Sequence, residues 1–294
     1  MTTSSEVQIA TDVGPRPQDS ELDVYGLTHP GKVRPNNEDH FLIAALQKKL
    51  QVYHTSLPEV AELAGSERLA LLAMVADGVG GAAAGEEASR LALEGVTKYL
   101  SQALQCYYSS DVSHDDEFMQ TLEEAALKVH NELAMVTQSD RSLRGMATTL
   151  TLWLGVWPRA YLLQVGDSRC YVLKDGKLIQ MSRDQTMAEE LVEQGVFTRT
   201  DAARTRWAHV LSSAIGGPQA APSVKRLEQG WGLVGLLCSD GLTRHVSDDR
   251  IRERLMTMTS SRQACETLLE DALDAGGQDN ITIVIGRAVP KAAG

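Results

Sequence analysis

The sequence lacks the features that define several common classes of protein. Its four cysteines are scattered over 294 residues without a Cys-x-x-Cys pair, which excludes a zinc ribbon and a thioredoxin-like redox site. Its apolar runs are far too short to cross a bilayer, and its N-terminus has no basic-then-apolar signal peptide. The net charge is −11, and no basic stripe is available to bind nucleic acid or an anionic membrane. We therefore expect a soluble cytoplasmic protein that binds neither.

The two ends of the chain differ from its middle. Residues 1–20 are polar, contain two prolines and show no periodicity, which predicts a disordered leader. Residues 289–294 are predicted to form a short tail. Between them, residues 21–288 contain no internal repeat, so we expect a single domain.

Hydrophobic periodicity predicts strands and helices in an order that identifies the fold class. Residues 47–68 are mixed and predict a loop with a short helix, and residues 184–209 are polar and irregular. The order is not the regular alternation of a doubly wound parallel sheet, so we predict an α+β sandwich of antiparallel sheets with helices packed outside. The predicted strands are 22–28, 38–45, 69–76, 148–156, 160–165, 169–174, 177–182, 234–239 and 280–286, and the predicted helices are 85–106, 115–138, 188–194, 248–257 and 260–275.

Four aspartates stand where short apolar runs meet turns: Asp77, Asp167, Asp240 and Asp279. A carboxylate at the end of a buried strand is poorly solvated and repels other carboxylates nearby. Four of them in one pocket therefore need positive charge, and hard divalent cations with oxygen ligands, such as Mg²⁺ or Mn²⁺, supply it. The sequence thus predicts an enzyme with two metal ions.

Each of these motifs also has a simpler interpretation. An Asp-Gly pair after a strand is commonly just a turn, and the charged residues around Arg34 could form a solvated loop. The glycines that follow Asp77 resemble a dinucleotide fingerprint, but Asp77 would then direct negative charge at the pyrophosphate. No second strand with an acidic residue follows, and the absence of Gly-Lys-Ser/Thr excludes a P-loop.

Taken together, the motifs resemble the metal-dependent serine/threonine protein phosphatases of the protein phosphatase 2C family, in its bacterial form. The resemblance extends from about Gly26 to Ile285. The motifs occur in the order of the family: Arg34 with Asn37, Glu38 and Asp39; Asp77–Gly81; Gly145–Thr149; Gly166–Arg169 followed by Tyr171; Leu211–Gly216; Ser239–Leu242; and Asp279–Thr282.

The resemblance implies a fold, a metal site and a set of partners. The fold would be two stacked antiparallel β-sheets flanked by helices, an α-β-β-α sandwich with the metals in a cleft at one edge. The partners would be phosphorylated proteins and a cognate serine/threonine kinase, and we expect a monomer. Carried over by position, Asp77 bridges both metals, the Gly78 carbonyl binds the first, Asp240 and Asp279 bind the second, Glu38 and Asp39 hold coordinated waters, Asp167 binds a weaker third ion, Arg34 binds the substrate phosphate, and residues 185–209 form a flap.

The expected reaction is hydrolysis of phosphoserine or phosphothreonine by a hydroxide that bridges the two metals. The metals and Arg34 would neutralise charge on the phosphoryl oxygens, and Asp77 and Asp240 would be indispensable. A catalytically weak, phosphoprotein-binding regulatory module on the same fold is the alternative, although such a module would be expected to lose core aspartates.

Three positions depart from the family pattern. Val79 stands where animal members have a histidine proposed as general acid, which leaves the proton donor unassigned. Gln185 and Ser213 replace the usual histidine and arginine near the flap. These two changes affect expected substrate contacts more than the chemistry.

Overall fold

Two antiparallel β-sheets form the centre of the molecule. A computed structural model describes residues 14–49, 66–80, 82–103, 115–202 and 204–290. The first sheet has the order β1 (Leu22–His29), β11 (Ile281–Ala288), β10 (Val234–Cys238), β7 (Arg169–Lys174) and β8 (Lys177–Gln180). The second has the order β2 (Asp39–Lys49), β3 (Ser66–Val79), β5 (Leu150–Val156), β6 (Arg159–Val165) and β9 (Ser223–Glu228), and β4 (Ala147–Thr148) pairs with the end of β3.

Helices cover the outer face of each sheet. Helices α1 (Ala82–Ala103) and α2 (Asp115–Ser139) pack on the second sheet, and α5 (Asp240–Thr243), α6 (Asp248–Met256) and α7 (Ser261–Asp274) pack on the first. The short helices α3 (Met187–Glu193) and α4 (Arg199–Ala202) lie between β8 and β9 in the chain. This arrangement confirms the predicted α-β-β-α sandwich.

Successive side chains along a strand point to opposite faces of its sheet. They therefore pack either against the helices or in the layer between the two sheets. On β5, Leu150, Leu152 and Leu154 are fully buried against the helices α1 and α2. The intervening Trp153 turns to the opposite face and packs in the layer between the sheets, where Val75 and Leu237 also lie. Burial of each such side chain stabilises the fold by about 1.5–3 kcal/mol.

The chain turns between β7 and β8, in the two-residue gap between the predicted strands 169–174 and 177–182. Asp175 has φ 49° and Gly176 has φ 72°, and Lys174 pairs with Lys177 across the turn. Two consecutive residues with positive φ are typical of the type I′ turn that joins two-residue hairpins, and Asp-Gly is a preferred sequence for it.

The structure differs from the predicted elements in several places, and the short helices α4 and α5 were not predicted. Strands β2 and β3 extend into the segment 47–68, so the predicted loop is wrong at both its ends, and residues 50–65 lie outside the described residues. Strand β3 also continues to Val79, so that Asp77 lies within a strand rather than after it. Strand β9 was not predicted, because its exposed edge position and its charged residues obscure any apolar alternation.

Part of the predicted leader belongs to the described structure. The Gly14 and Pro15 carbonyls accept hydrogen bonds from the indole nitrogens of Trp157 and Trp231, respectively. Residues 1–13 of the leader, residues 104–106 of the first predicted helix and residues 291–294 of the tail lie outside the described residues. Within the described ranges, no helix combines the length and apolarity needed to cross a membrane.

Candidate metal centre

The predicted acidic residues meet at one edge of the sandwich, where several strand ends converge. Asp77 on β3 lies directly opposite Asp39 on β2 in the strand register. Asp240 begins α5 just after β10, and Asp279 precedes β11, the neighbour of β10. A polar cleft of about 230 Å³ opens at this edge, and its lining includes Arg34, Glu38, Asp77, Gly78, Asp167, Asp240 and Asp279.

Two threonines fix the backbone of Asp77. The Asp77 amide donates to Thr149 Oγ1 at 3.0 Å, and the Asp77 carbonyl accepts from the Thr149 amide and from Thr148 Oγ1, both at 2.9 Å. Thr148 and Thr149 end the motif Gly145–Thr149, to which the sequence analysis assigned no role. The structure therefore explains that motif as the anchor of β3 beside the cleft.

Two glycines allow the acidic segments to approach each other closely. A Cβ on Gly78 would lie 2.2 Å from the Gly85 carbonyl oxygen, at the start of α1. A Cβ on Gly241 would lie 1.9 Å from the Asn280 carbonyl oxygen. Only glycine fits such contacts, so the Asp-Gly pairs bring each aspartate against a neighbouring backbone segment.

Asp39 lies behind the cleft and is 2% exposed. Its Oδ2 accepts hydrogen bonds from Ser239 Oγ and Thr282 Oγ1, both at 2.7 Å, whereas its Oδ1 is buried without a hydrogen-bond partner. The pKa of Asp39 is raised to about 7, mainly by burial; the charges of Asp240 and Asp279 add to the rise, and the two hydrogen bonds oppose it. A buried carboxylate oxygen without a partner is a position where positive charge would be favourable.

Four other carboxyl groups at the cleft also have raised pKa values. Burial raises the pKa of Asp77 well above its ordinary range, and the charge of Asp39 adds to the effect. Burial and the charge of Asp240 raise the pKa of Asp167 to about 8. Burial likewise raises the pKa of Asp240 and of Glu38. This set of hard oxygen donors fits Mg²⁺ or Mn²⁺, because a divalent cation would stabilise the ionised carboxylates.

Two arginines contact the cluster. Arg34 forms a two-pronged contact with Asp279, from Nε to Oδ1 at 2.9 Å and from Nη2 to Oδ2 at 3.0 Å. Arg244, which sequence reasoning missed, donates from Nη1 to Asp279 Oδ2 at 2.7 Å and also pairs with Asp240. Among the residues that the structure describes, no three acidic, histidine or cysteine side chains are already grouped as a metal site. In the described part of the chain, the salt bridges of Asp240 and Asp279 are formed with these two arginines.

The segment 185–209 borders the cleft, where we expected a flap. It contains α3, α4 and the 3₁₀ turn Arg206–His209, and His209 lines the cleft. His209 also lines an adjoining pocket of about 280 Å³ between the cleft and α3. The sequence contained no signal for His209, because no motif in the segment singled it out. Val79 is 43% exposed at the mouth of the cleft.

The two departures near the flap have structural roles. Gln185 accepts a hydrogen bond from the Gly166 amide through Oε1 at 2.8 Å and donates from Nε2 to the Ala221 carbonyl at 2.8 Å. Ser213 Oγ accepts from the Ala221 amide at 2.9 Å. Gln185 therefore connects the turn that holds Asp167 to the segment preceding β9, and Ser213 binds the same segment at Ala221.

Comparisons with known proteins agree with this fold. The sequence profile of the family described as protein phosphatase 2C matches residues 61–275. The chain is 33% identical over 259 residues to the serine/threonine protein phosphatase PstP of Mycobacterium tuberculosis, an alignment that covers 88% of this chain and 43% of PstP. The chain therefore spans less than half the length of this relative.

Solved structures of PstP extend the comparison to the fold. A crystal structure of the Mycobacterium tuberculosis enzyme matches with a TM-score of 0.72 and 30% identity, covering 92% of this chain and 99% of that one. The PstP catalytic domain in complex with two manganese ions matches with a TM-score of 0.68 and 30% identity, over 92% of this chain and 99% of that one. With the profile match across most of its length and a similar fold in the solved structures, this chain belongs to the protein phosphatase 2C family.

Proposed function

We propose that this chain is a metal-dependent protein phosphatase that hydrolyses phosphoserine and phosphothreonine on proteins. The observation on which this depends is the convergence of buried and half-buried carboxyl groups from β3, the β6–β7 turn, α5 and the turn before β11 on one cleft. Membership of the family and the manganese complex of a relative support the same reaction.

The proposed centre takes two Mn²⁺ or Mg²⁺ ions. Such ions, when bound, would supply positive charge toward phosphoryl oxygens and acidify water near neutral pH. Their proposed ligands are Asp77 for both ions, the Gly78 carbonyl for the first, and Asp240 and Asp279 for the second, with Glu38 and Asp39 acting through waters and Asp167 serving a weaker third ion.

The chain's own residues prepare the cleft for a phosphate group. The Arg34 side chain is 53% exposed and already forms a planar two-pronged contact with a carboxylate, so its guanidinium could bind two phosphoryl oxygens in the same way. The hydrogen bonds to Asp39 and to the Asp77 backbone hold the acidic strand ends in place. These residues therefore supply phosphate binding and rigidity.

Covalent catalysis by a cysteine has no support in the described part of the chain. Cys170, Cys238 and Cys265 are buried, and burial raises the pKa of the Cys238 and Cys265 thiols to about 12. A thiolate is the reactive form of cysteine, so none of the three offers a nucleophile near neutral pH.

The proposal extends to the setting of the enzyme. We propose a cytoplasmic monomer that reverses the action of a cognate serine/threonine kinase, as the family resemblance implies. The acidic composition, with a net charge of −11, argues against nucleic acid or an anionic membrane as the main partner.

The test is release of phosphate from phosphothreonine and phosphoserine peptides by the full chain with Mn²⁺ and with chelator. We expect turnover with Mn²⁺ only. Asp240→Asn should abolish nearly all turnover, and Asp249→Asn, an exposed aspartate on α6, should leave it unchanged. If the Mn²⁺-loaded wild-type protein hydrolyses neither peptide, the proposal is refuted, and a phosphoprotein-binding regulatory module remains as the alternative function.

A further inference from the structure

We propose that Arg244 is a built-in counter-ion of the acidic cluster, which competes with metal ions for Asp240 and Asp279 and thereby sets the metal affinity of this chain. The inference rests on the proposed metal centre, but it concerns a residue to which neither the motifs nor the expected ligand set assigns a role. Arg244 would be a positioning residue rather than a catalytic one, because it acts on the metal ligands.

The local fold places Arg244 directly over the cluster. Arg244 follows Asp240 by one helical turn, and its amide donates to the Asp240 carbonyl at 2.8 Å. From there the guanidinium pairs with the Asp240 side chain through Nη2 and with Asp279 Oδ2 through Nη1 at 2.7 Å. A single cation thus joins carboxylates from two segments that are 39 positions apart in the chain (279 − 240).

Arg244 and Arg34 do not contribute equally to neutralising the acidic cluster. The Arg34 side chain is 53% exposed and contacts Asp279, whereas the Arg244 side chain is 32% exposed and contacts both carboxylates. In the described part of the chain, Asp240 forms a salt bridge with Arg244 alone. Arg244 is therefore the cation on which the charge balance of Asp240 depends most.

This contact must weaken when a metal ion binds the same carboxylates. Asp279 Oδ2 already accepts from both Arg34 and Arg244, so a cation approaching it competes with two guanidinium groups. Once displaced, Arg244 stays tethered one turn from Asp240, and its positive charge still opposes a divalent ion. Competition for the carboxylates and repulsion of the divalent ion both weaken metal binding. A variant with a neutral residue at position 244 should therefore bind metal more tightly.

If Arg244 instead supports metal binding, its replacement should change the metal affinity in the opposite direction. If Arg244 served only to orient Asp240 and Asp279 for metal binding, its removal would loosen two ligands and weaken the affinity. A unit charge within a few ångströms of a partly buried site changes binding by roughly tenfold or more, which is readily measured. The sign of the change therefore separates a competing counter-ion from a supporting contact.

The experiment titrates Mn²⁺ calorimetrically into the chelator-treated full chain and needs no activity readout. We expect Arg244→Gln to lower the Mn²⁺ dissociation constant about tenfold. Arg244→Lys keeps the charge but loses the planar guanidinium that contacts both carboxylates, so it should lower the constant less. The control Arg252→Gln removes the same charge from an exposed arginine on α6 that donates to the Gly176 carbonyl, and should change nothing. In parallel, metal-free Arg244→Gln should melt at a lower temperature, and saturating Mn²⁺ should raise its melting temperature more than that of the wild type.

The outcomes separate this inference from the metal centre itself. Unchanged or weaker Mn²⁺ binding by both Arg244 variants, while Asp240→Asn loses binding, would overturn the counter-ion role and leave the centre intact. Equal Mn²⁺ binding by the wild type and Asp240→Asn, or no binding by the wild type, would overturn both. Should Arg244→Gln fail to fold, tighter binding by Arg244→Lys still supports the inference, and unchanged binding refutes it.

Discussion

Replacing Asp39 by asparagine should stabilise the metal-free protein. Asp39 is buried, and one of its oxygens has no partner. Its pKa rises from an ordinary 3.8 to about 7, so above pH 7 its ionisation costs the folded state about 4 kcal/mol. Asparagine removes this cost and keeps an acceptor for Ser239 and Thr282. Its amide nitrogen would lack an acceptor where Oδ1 now lies, which costs about 1–3 kcal/mol.

The net expectation is a gain of about 1–3 kcal/mol in the free energy of unfolding near pH 8. The sign of the pH dependence follows from the raised pKa of Asp39. The contribution of Asp39 to the stability of the wild type is fully present below the unfolded pKa of 3.8 and is lost as the pH rises through about 7. The advantage of asparagine should therefore shrink as the pH falls from about 8 toward about 4.

Urea unfolding followed by circular dichroism, in the presence of chelator, measures this difference. Asp271→Asn is a matched control for which we expect the opposite change in stability. Hydrogen bonds from Arg254 and Arg250 lower the pKa of Asp271 despite partial burial. That variant should lose stability near pH 8. If Asp39→Asn is no more stable than the wild type at about pH 8, or keeps the same advantage at about pH 4, the reasoning is wrong.

Three further substitutions test other parts of the structure. Gly241→Ala would place a methyl group 1.9 Å from the Asn280 carbonyl oxygen, so it should cost about 1–3 kcal/mol of stability in urea unfolding and weaken Mn²⁺ binding; wild-type values would show that the close approach is unimportant. Asp115→Ala should cost about 3 kcal/mol by the same assay, because Arg226 and the other partners of this buried carboxylate lose their counter-charge, and a loss below about 0.5 kcal/mol would contradict that role. Arg34→Ala should raise the KM for a phosphopeptide about tenfold in steady-state kinetics, and unchanged kinetics would remove Arg34 from phosphate binding.

The sequence predicted the architecture well where apolar patterns are local. The strands around the hairpin at Asp175 and Gly176 and the helices α6 and α7 follow from periodicity and turn chemistry over short windows. Strand β9 was missed because an edge strand with charged side chains has little apolar alternation. The extension of β3 past Asp77 was missed because it depends on pairing with β4, a segment about 70 positions away in the chain.

The acidic residues of the cleft could be found from the sequence, but their surroundings could not. Motif order indicated Asp77, Asp240 and Asp279, and the fold brings them to one edge. The register that sets Asp39 opposite Asp77 arises from strand pairing, which no local pattern encodes. Arg244 was missed because an arginine after a short helix is ordinarily a solvated surface residue, and only the tertiary structure shows its contacts with two carboxylates.

The most direct test of the central claim is anomalous diffraction from a crystal of the full chain soaked in Mn²⁺. The account predicts two strong manganese peaks at the cleft, with Asp77 bound to both ions and with Asp240 and Asp279 bound to one, and a weaker third peak at Asp167. Peaks elsewhere, or no peak at the cleft under saturating Mn²⁺, would contradict it.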